Sequence, residues 1–291
     1  MFNPGATPRL FNSAWKLRVH SLHTLNKETG VQRSVRDIEK VLSHEQPGVR
    51  WVYEQLVKGE LYLVGQPVVS LTHTSQVFYY ECLLRHRGDG FKYNPFLILE
   101  QFDTVRLLDH CVVSTVIAML EQAPALSLGC NVSARSAHLD DDWWGILARL
   151  QQHPAIASRL TLELTETAKL PTERQAQDFV QAFRAAGAKV AIDDFGTGFG
   201  TIDCVRKLSA QLVKIDKGYL HRARASAADA LLFQRLVALS GCLGEQVIVE
   251  GIETPDDLAI AQASGAANGQ GFLFGRPAAL SVASVVLLAH A

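Results

Sequence analysis

The sequence is poor in the features that mark several common classes of protein. Its 291 residues carry 28 Lys+Arg against 29 Asp+Glu, a formal charge of -1, so no strong overall field draws it onto double-stranded nucleic acid or an anionic membrane. Any recognition of phosphate must therefore be local. The cysteines, Cys82, Cys111, Cys130, Cys204 and Cys242, are scattered without C-x-x-C spacing, which argues against both a zinc knuckle and a disulfide framework. His86, His110 and His153 stand in no H-x-x-H or i, i+4 pair, which leaves them core or surface roles rather than metal ligation. No signal-type apolar core stands at the N-terminus, and the apolar stretch ALSVASVVLLAHA (279–291) is too short to span a bilayer. That stretch is expected to close the fold as a helix or strand, with no membrane span, in a reducing cytoplasm.

What the chain has is hydrophobic mass and rhythm. With 48% hydrophobic residues it can bury a core of barrel size. Residues 1–46 read as a mixed, somewhat basic extension, partly helical over SVRDIEKVLSHE (34–45). Residues 47–291 read as the main domain. Strand-like runs recur there: LYLVGQPVVSL (61–71), VFYYECLLRH (77–86), LSLGCNVSA (126–134), RLTLELTET (159–167), KVAIDDFG (189–196), QLVKIDKGYL (211–220), QVIVEGIE (246–253) and GQGFLFG (269–275). Most are separated by helical patterns, such as 96–122, 143–153, 173–188 and 228–242. Strand, helix, strand, repeated this often, predicts a mostly parallel sheet in an α/β fold. The count and length suit a closed (β/α)8 TIM-like barrel, with an open doubly wound sheet as the alternative. Only THTSQ (72–76) joins the first two strands, too little for a helical crossover, so one of that pair is expected to run antiparallel.

Strand alternation assigns directions to the polar residues. Leu162 and Leu164 face one way and Glu163 the other; Val190 and Ile192 oppose Asp193; Val247 and Val249 oppose Glu250. With the large aliphatics under the helices, Glu163, Asp193 and Glu250 point to the barrel axis, and Glu81, Asn131 and Lys214 obey the same alternation. The segment AIDDFGTGFG (191–200) adds Asp194 directly beside Asp193. So many oxygens at one mouth cannot all stay ionised without cations, and an all-oxygen set prefers hard ions such as Mg²⁺ or Mn²⁺. Two ions a few Å apart clamp an in-line attack on phosphorus, and Lys214 supplies a positive partner for the attacking water or a phosphate oxygen.

At these residues the sequence resembles the EAL-domain family of bacterial cyclic di-GMP phosphodiesterases, from about residue 47 onward. The motifs appear in order: Glu81-Cys82-Leu83 followed by Leu84 and Arg85, Asn131 in NVS, Glu163 and Glu166 in ELTE, Asp193 and Asp194 in DDFGTG, Lys214 in KID, Glu250 and Glu253 in VEGIET, and Gln270 in QGFLF. The resemblance implies that Glu81, Asn131, Glu163 and Asp193 hold one metal and that Asp193, Asp194 and Glu250 hold a second. It gives Lys214 the nucleophilic water, Glu253 a supporting place behind the site, and Glu166 the bracing of the loop after the Asp pair. Gln66, Leu83, Arg85, Asp216 and Gln270 become substrate contacts; the Arg85 guanidinium suits a phosphate because it donates two parallel bonds. The implied activity is Mg²⁺- or Mn²⁺-dependent hydrolysis of cyclic di-GMP to linear pGpG, with Ca²⁺ inhibitory and a homodimer formed through the region after the Asp pair. The alternative is a catalytically silent module that binds the dinucleotide or a protein partner.

Three departures from the family pattern stand out. Cys82 replaces a small alanine, Gly200 takes the place of a serine, and GFKYNPFLILE (90–100) changes the spacing around Pro95. Two stretches are set aside as decoys. GTGFGT (196–201) lacks the Lys-Ser/Thr ending of a P-loop, and DDDWW (140–144) reads as acidic capping of a helix rather than as metal ligation.

Overall fold

The computed structural model describes residues 40, 43–88, 90–92, 94–165, 171–197 and 202–280. Helix α1 (Pro47–Lys58) leads into β1 (Leu61–Ser70) and β2 (Val77–His86). Helices α2 (Pro95–Gln101) and α3 (Val105–Gln122) precede β3 (Leu128–Ser133); after a 3-10 turn (Ala134–Ser136) come α4 (Asp141–Gln152), α5 (Pro154–Ala157) and β4 (Leu160–Thr165). Next are α6 (Glu173–Ala185), β5 (Lys189–Phe195), α7 (Ile202–Leu208), β6 (Leu212–Ile215), α8 (Lys217–Ala223) and α9 (Ala227–Leu243). β7 (Gln246–Val249), α10 (Pro255–Ala263) and β8 (Asn268–Gln270) complete the order.

The eight strands close into a barrel in chain order. β1 runs antiparallel to both β2 and β8 and every other neighbouring pair is parallel, as the short THTSQ link requires. The open-sheet alternative is excluded by the β1–β8 pairing.

Sequence chemistry explains the element ends. Pro47 sits in the first turn of α1, where a missing N–H is harmless, and Gly59 ends the helix at φ 72, its N–H bonded to Gln55 O and Leu56 O. On α6 the buried stripe Ala176, Phe179, Val180 and Phe183 packs edge-on against Trp143, with ring centroids 5.1 and 5.5 Å from Phe179 and Phe183. Each buried Phe contributes roughly 1.5–3 kcal/mol.

The strands read over 246–253 and 269–275 are shorter, Gln246–Val249 and Asn268–Gln270. The helical pattern over 96–122 is two helices, broken at Asp103, whose φ of 55 a helix cannot accommodate; Asn94 caps the first by accepting from Phe96 and Leu97 N–H. The strand read over 211–220 stops at Ile215, because the Asp216 side chain accepts the Gly218 N–H at 2.9 Å and starts α8. Glu166, the loop at Gly200, most of the 1–46 extension and the C-terminal stretch beyond Leu280 lie outside the described residues.

The lumen is layered. Val68, Tyr79, Ala191, Leu212 and Ile248 form an apolar plug, and in four of these strands the residue two positions further on is Glu81, Asp193, Lys214 or Glu250. A period of two keeps both on one face, so the plug seals the barrel directly beneath a charged layer. Gly129 belongs to the plug level of β3: a Cβ there would stand 2.6 Å from the Tyr79 ring and 2.6 Å from Glu163 Oε1.

Candidate metal centre at the strand ends

The ladder registers bring the acidic and amide residues together. Asn131 pairs with Glu163 across β3–β4, and Thr165 with Asp193 across β4–β5. Gln66 lies opposite Glu81 on β1. Lys214 is the only buried lysine or arginine among the described residues. Its Nζ lies 2.5 Å from Glu163 Oε2, 2.8 Å from Glu250 Oε1, 2.9 Å from Asp193 Oδ1 and 3.5 Å from Glu81 Oε2. Burial alone would strip its proton, but Asp193, Glu163, Glu250 and Glu81 hold it on and raise its pKa well above the ordinary lysine value.

One ammonium does not balance four carboxylates. Burial, with the neighbouring anions, pushes Glu163 well above the carboxylate range and Glu250 up to about 8, despite Lys214. Burial and then Asp193 raise Asp194 to about 6. Glu81 goes the other way: burial opposes ionisation, but Lys214 and hydrogen bonds from Gln270 and Asn131 outweigh it. Those bonds are 2.6 Å from Gln270 Nε2 to Glu81 Oε2 and 2.8 Å from Asn131 Nδ2 to Glu81 Oε1.

Asp194 is where simple alternation fails. It would send this side chain to the face opposite Asp193, but its φ of 54 and the register shift between Ile192 and Phe195 turn it back. Oxygens of Asp193, Asp194 and Glu250 consequently lie within 4.8 Å of one another, as do those of Glu81, Glu163 and Asp193. The two triads share Asp193. Asn131 Oδ1 and Glu163 Oε1 are buried with no hydrogen-bond partner, and Asp193 Oδ1 has only the ion-pair approach of Lys214, off the hydrogen-bonding direction. Unpaired buried oxygens of this kind are costly unless a cation or water meets them. The donor set thus fits hard divalent ions.

The remaining expected residues are more dispersed. Leu83 and Arg85 follow Glu81 on the same face of β2; Arg85 is half-buried, with Nη1 donating to Leu84 O at 2.8 Å. Gln66 is buried, and its Nε2 approaches Gly275 O at 3.3 Å. Asp216 caps α8. Glu253 is exposed, and its backbone N–H is held by Asp257 Oδ2 at 3.0 Å; no packing of its side chain behind the site is seen. Two groupings carried no motif. His110, Asp140 and Asp142 also place ligand atoms within 4.8 Å, and Arg224 grips Asp257; both join residues about thirty positions apart or unite separate helices, which no local spacing signals.

The chain matches the EAL domain family over residues 49–277. It belongs to that family. This EAL chain is 31% identical over 227 residues to the cyclic di-GMP phosphodiesterase PA2567 of Pseudomonas aeruginosa, covering 74% of this chain and 38% of that protein. It is 33% identical over 141 residues to the cyclic di-GMP phosphodiesterase NbdA of the same organism, covering 48% of this chain and 18% of that one. The EAL chain thus spans well under half the length of these curated relatives. Among solved structures it resembles the MucR phosphodiesterase in complex with c-di-GMP, with a TM-score of 0.68 and 25% identity over 80% of this chain and 98% of that one.

Proposed function

We propose that the protein is a divalent-cation-dependent phosphodiesterase that opens cyclic di-GMP to linear pGpG. The observation that carries this reading is the pair of oxygen triads sharing Asp193, flanked by the unpartnered oxygens of Asn131 and Glu163. Glu81, Asn131, Glu163 and Asp193 would hold one ion and Asp193, Asp194 and Glu250 another, Mg²⁺ or Mn²⁺ by donor chemistry. Bound there, two divalent ions neutralise the charge that gathers on phosphate oxygens during in-line displacement.

The chain's own residues do the rest. Lys214, pinned by carboxylates, stays protonated and donates to the attacking water or to a phosphate oxygen. Gln270 and Asn131 fix the Glu81 carboxylate by donating to both of its oxygens. Arg85 spends one guanidinium nitrogen on Leu84 O and keeps others for phosphate. Gln66, Leu83 and Asp216 would serve as substrate contacts, and Glu166 would brace the loop after the Asp pair, as the family resemblance implies. Hydrolysis consumes one water and breaks one P–O3′ bond, leaving a 5′-phosphate and a free 3′-hydroxyl.

Residues 47–291 form the catalytic barrel in this reading and 1–46 an extension of it. No helix among the described residues is long and apolar enough to cross a membrane, in keeping with a cytoplasmic enzyme. Exposed Leu231, Leu232 and Leu239 on α9 and Ile202 on α7 offer an apolar face for a homodimer. The test is turnover of cyclic di-GMP by purified protein with Mg²⁺, Mn²⁺ or Ca²⁺. Linear pGpG is expected with the first two and none with Ca²⁺; binding without turnover under Mn²⁺ would make the protein a silent module instead.

A further inference from the structure

We propose that Arg224, acting through Asp257, positions the loop that carries Glu250 and thereby sets the affinity for the second cation. The inference rests on the two-ion reading above. β7 ends at Val249, so Glu250 is the first residue of a loop and owes its place to what fastens that loop. Glu250 N–H donates to Ile215 O at 3.1 Å, and His221 Nε2 lies 3.1 Å from Gly251 O. Gly251 is pressed onto α8 at φ 75, where a Cβ would come within 2.3 Å of Lys217 Cβ. The far end is anchored by Asp257, whose Oδ2 accepts the N–H groups of Glu253 at 3.0 Å and Thr254 at 2.9 Å.

Asp257 has no exposed surface. Burial opposes its ionisation, yet Arg224 and the loop N–H groups hold its pKa below the usual range. Arg224 donates Nε to Oδ1 at 2.5 Å and Nη2 to Oδ2 at 2.7 Å. Arg224 follows α8, the helix after β6, and β6 also carries Lys214, whose Nζ holds Glu250 Oε1 at 2.8 Å. One β6–α8 unit therefore grips the loop at both ends, at Glu250 and Gly251 and at the distal anchor Asp257. Helix capping alone does not require this, since Thr254 and Asp257 complete the capping box of α10 without Arg224. Removing Arg224 leaves a buried carboxylate without its cation, and the loop N–H groups lose a fixed acceptor.

Partners behind metal ligands typically set affinity by about 10–100-fold. The experiment is Mn²⁺ titration of the full chain, followed by electron paramagnetic resonance and calorimetry well below each variant's melting temperature. The wild type is expected to take up two ions, and Arg224→Met to bind the second about 10-fold or more weakly with the first nearly unchanged. Arg224→Lys, which keeps the charge but not the two-point geometry, is expected to fall between them. Adding Arg224→Met to Asp257→Asn should change nothing further, because both act through one contact. Arg149→Met, which breaks a surface pair with Glu121 (3.0 and 2.7 Å), is expected to leave both ions intact. Equal weakening of both ions, a lower melting temperature with both affinities kept, or additive effects in the double variant would overturn the inference. A wild type that binds no Mn²⁺ would overturn the two-ion reading and this inference with it.

Discussion

Two acidic groups in this molecule look alike on paper and differ in how their charge is met. His110, Asp140 and Asp142 lie where α3 meets the start of α4. Asp140 Oδ1 caps α4 by accepting Trp143 N–H at 2.9 Å, and its Oδ2 takes Arg106 Nη1 at 3.2 Å. His110 nitrogens lie 3.4 Å from Asp140 and 3.6 Å from Asp142. Burial works against the Asp140 charge, but His110, the Trp143 N–H and Arg106 hold its pKa far below the carboxylate range. In the lumen the opposite holds: Lys214 is shared among four carboxylates, and Glu163, Asp193, Asp194 and Glu250 are all raised, by burial first. An acidic cluster becomes a cation site where the protein's own donors run out. At the α3–α4 group donors reach both oxygens of Asp140; in the lumen Glu163 Oε1 is left without one.

Breaking the lumen group at its shared member gives the largest effect. Asp193→Asn is expected to lower turnover of cyclic di-GMP by on the order of 10³-fold or more, since it removes a ligand common to both ions. Asn131→Ala should reach a similar loss with an unchanged circular dichroism spectrum. Next comes Lys214→Met, which leaves the carboxylates with no internal cation. Urea titration of the metal-free variant should show a loss of about 3–5 kcal/mol, largely restored by Mn²⁺.

The two groups diverge further with pH. Glu250, at about 8 in the metal-free fold, ionises near 4.3 when unfolded. Between those values the native state binds more protons than the unfolded one, so stability falls as pH rises from about 5 to 8; below that window the full contribution is present. Thermal melts of metal-free protein should decline across it, and Mn²⁺ should flatten or reverse the trend. The smallest effect lies at the α3–α4 group: Asp140→Ala is expected to cost about 1 kcal/mol through the lost helix cap and to leave Mn²⁺ binding unchanged.

Much of this was legible in the sequence for a definite reason. Barrel strands alternate with period two, so Glu81, Asn131, Glu163, Asp193 and Lys214 could be assigned to the lumen from the aliphatic residues beside them, and the five-residue THTSQ link fixed the antiparallel start. Asp194 could not be assigned that way, because its turn into the mouth depends on one left-handed backbone angle. The break at Asp103 was hidden by apolar residues continuing on both sides. The Arg224–Asp257 clasp and the His110 group arise from helices meeting in space, and nothing within a local window of sequence announces them.

In the proposed mechanism Asp193 is common to two cation sites in the barrel mouth. Counting Mn²⁺ ions bound per chain, for the wild type and for Asp193→Asn, tests it directly. Two ions are expected for the wild type, with loss of tight binding at both sites in the variant. A wild type that binds no ions, or an Asp193→Asn protein that keeps both, would contradict it.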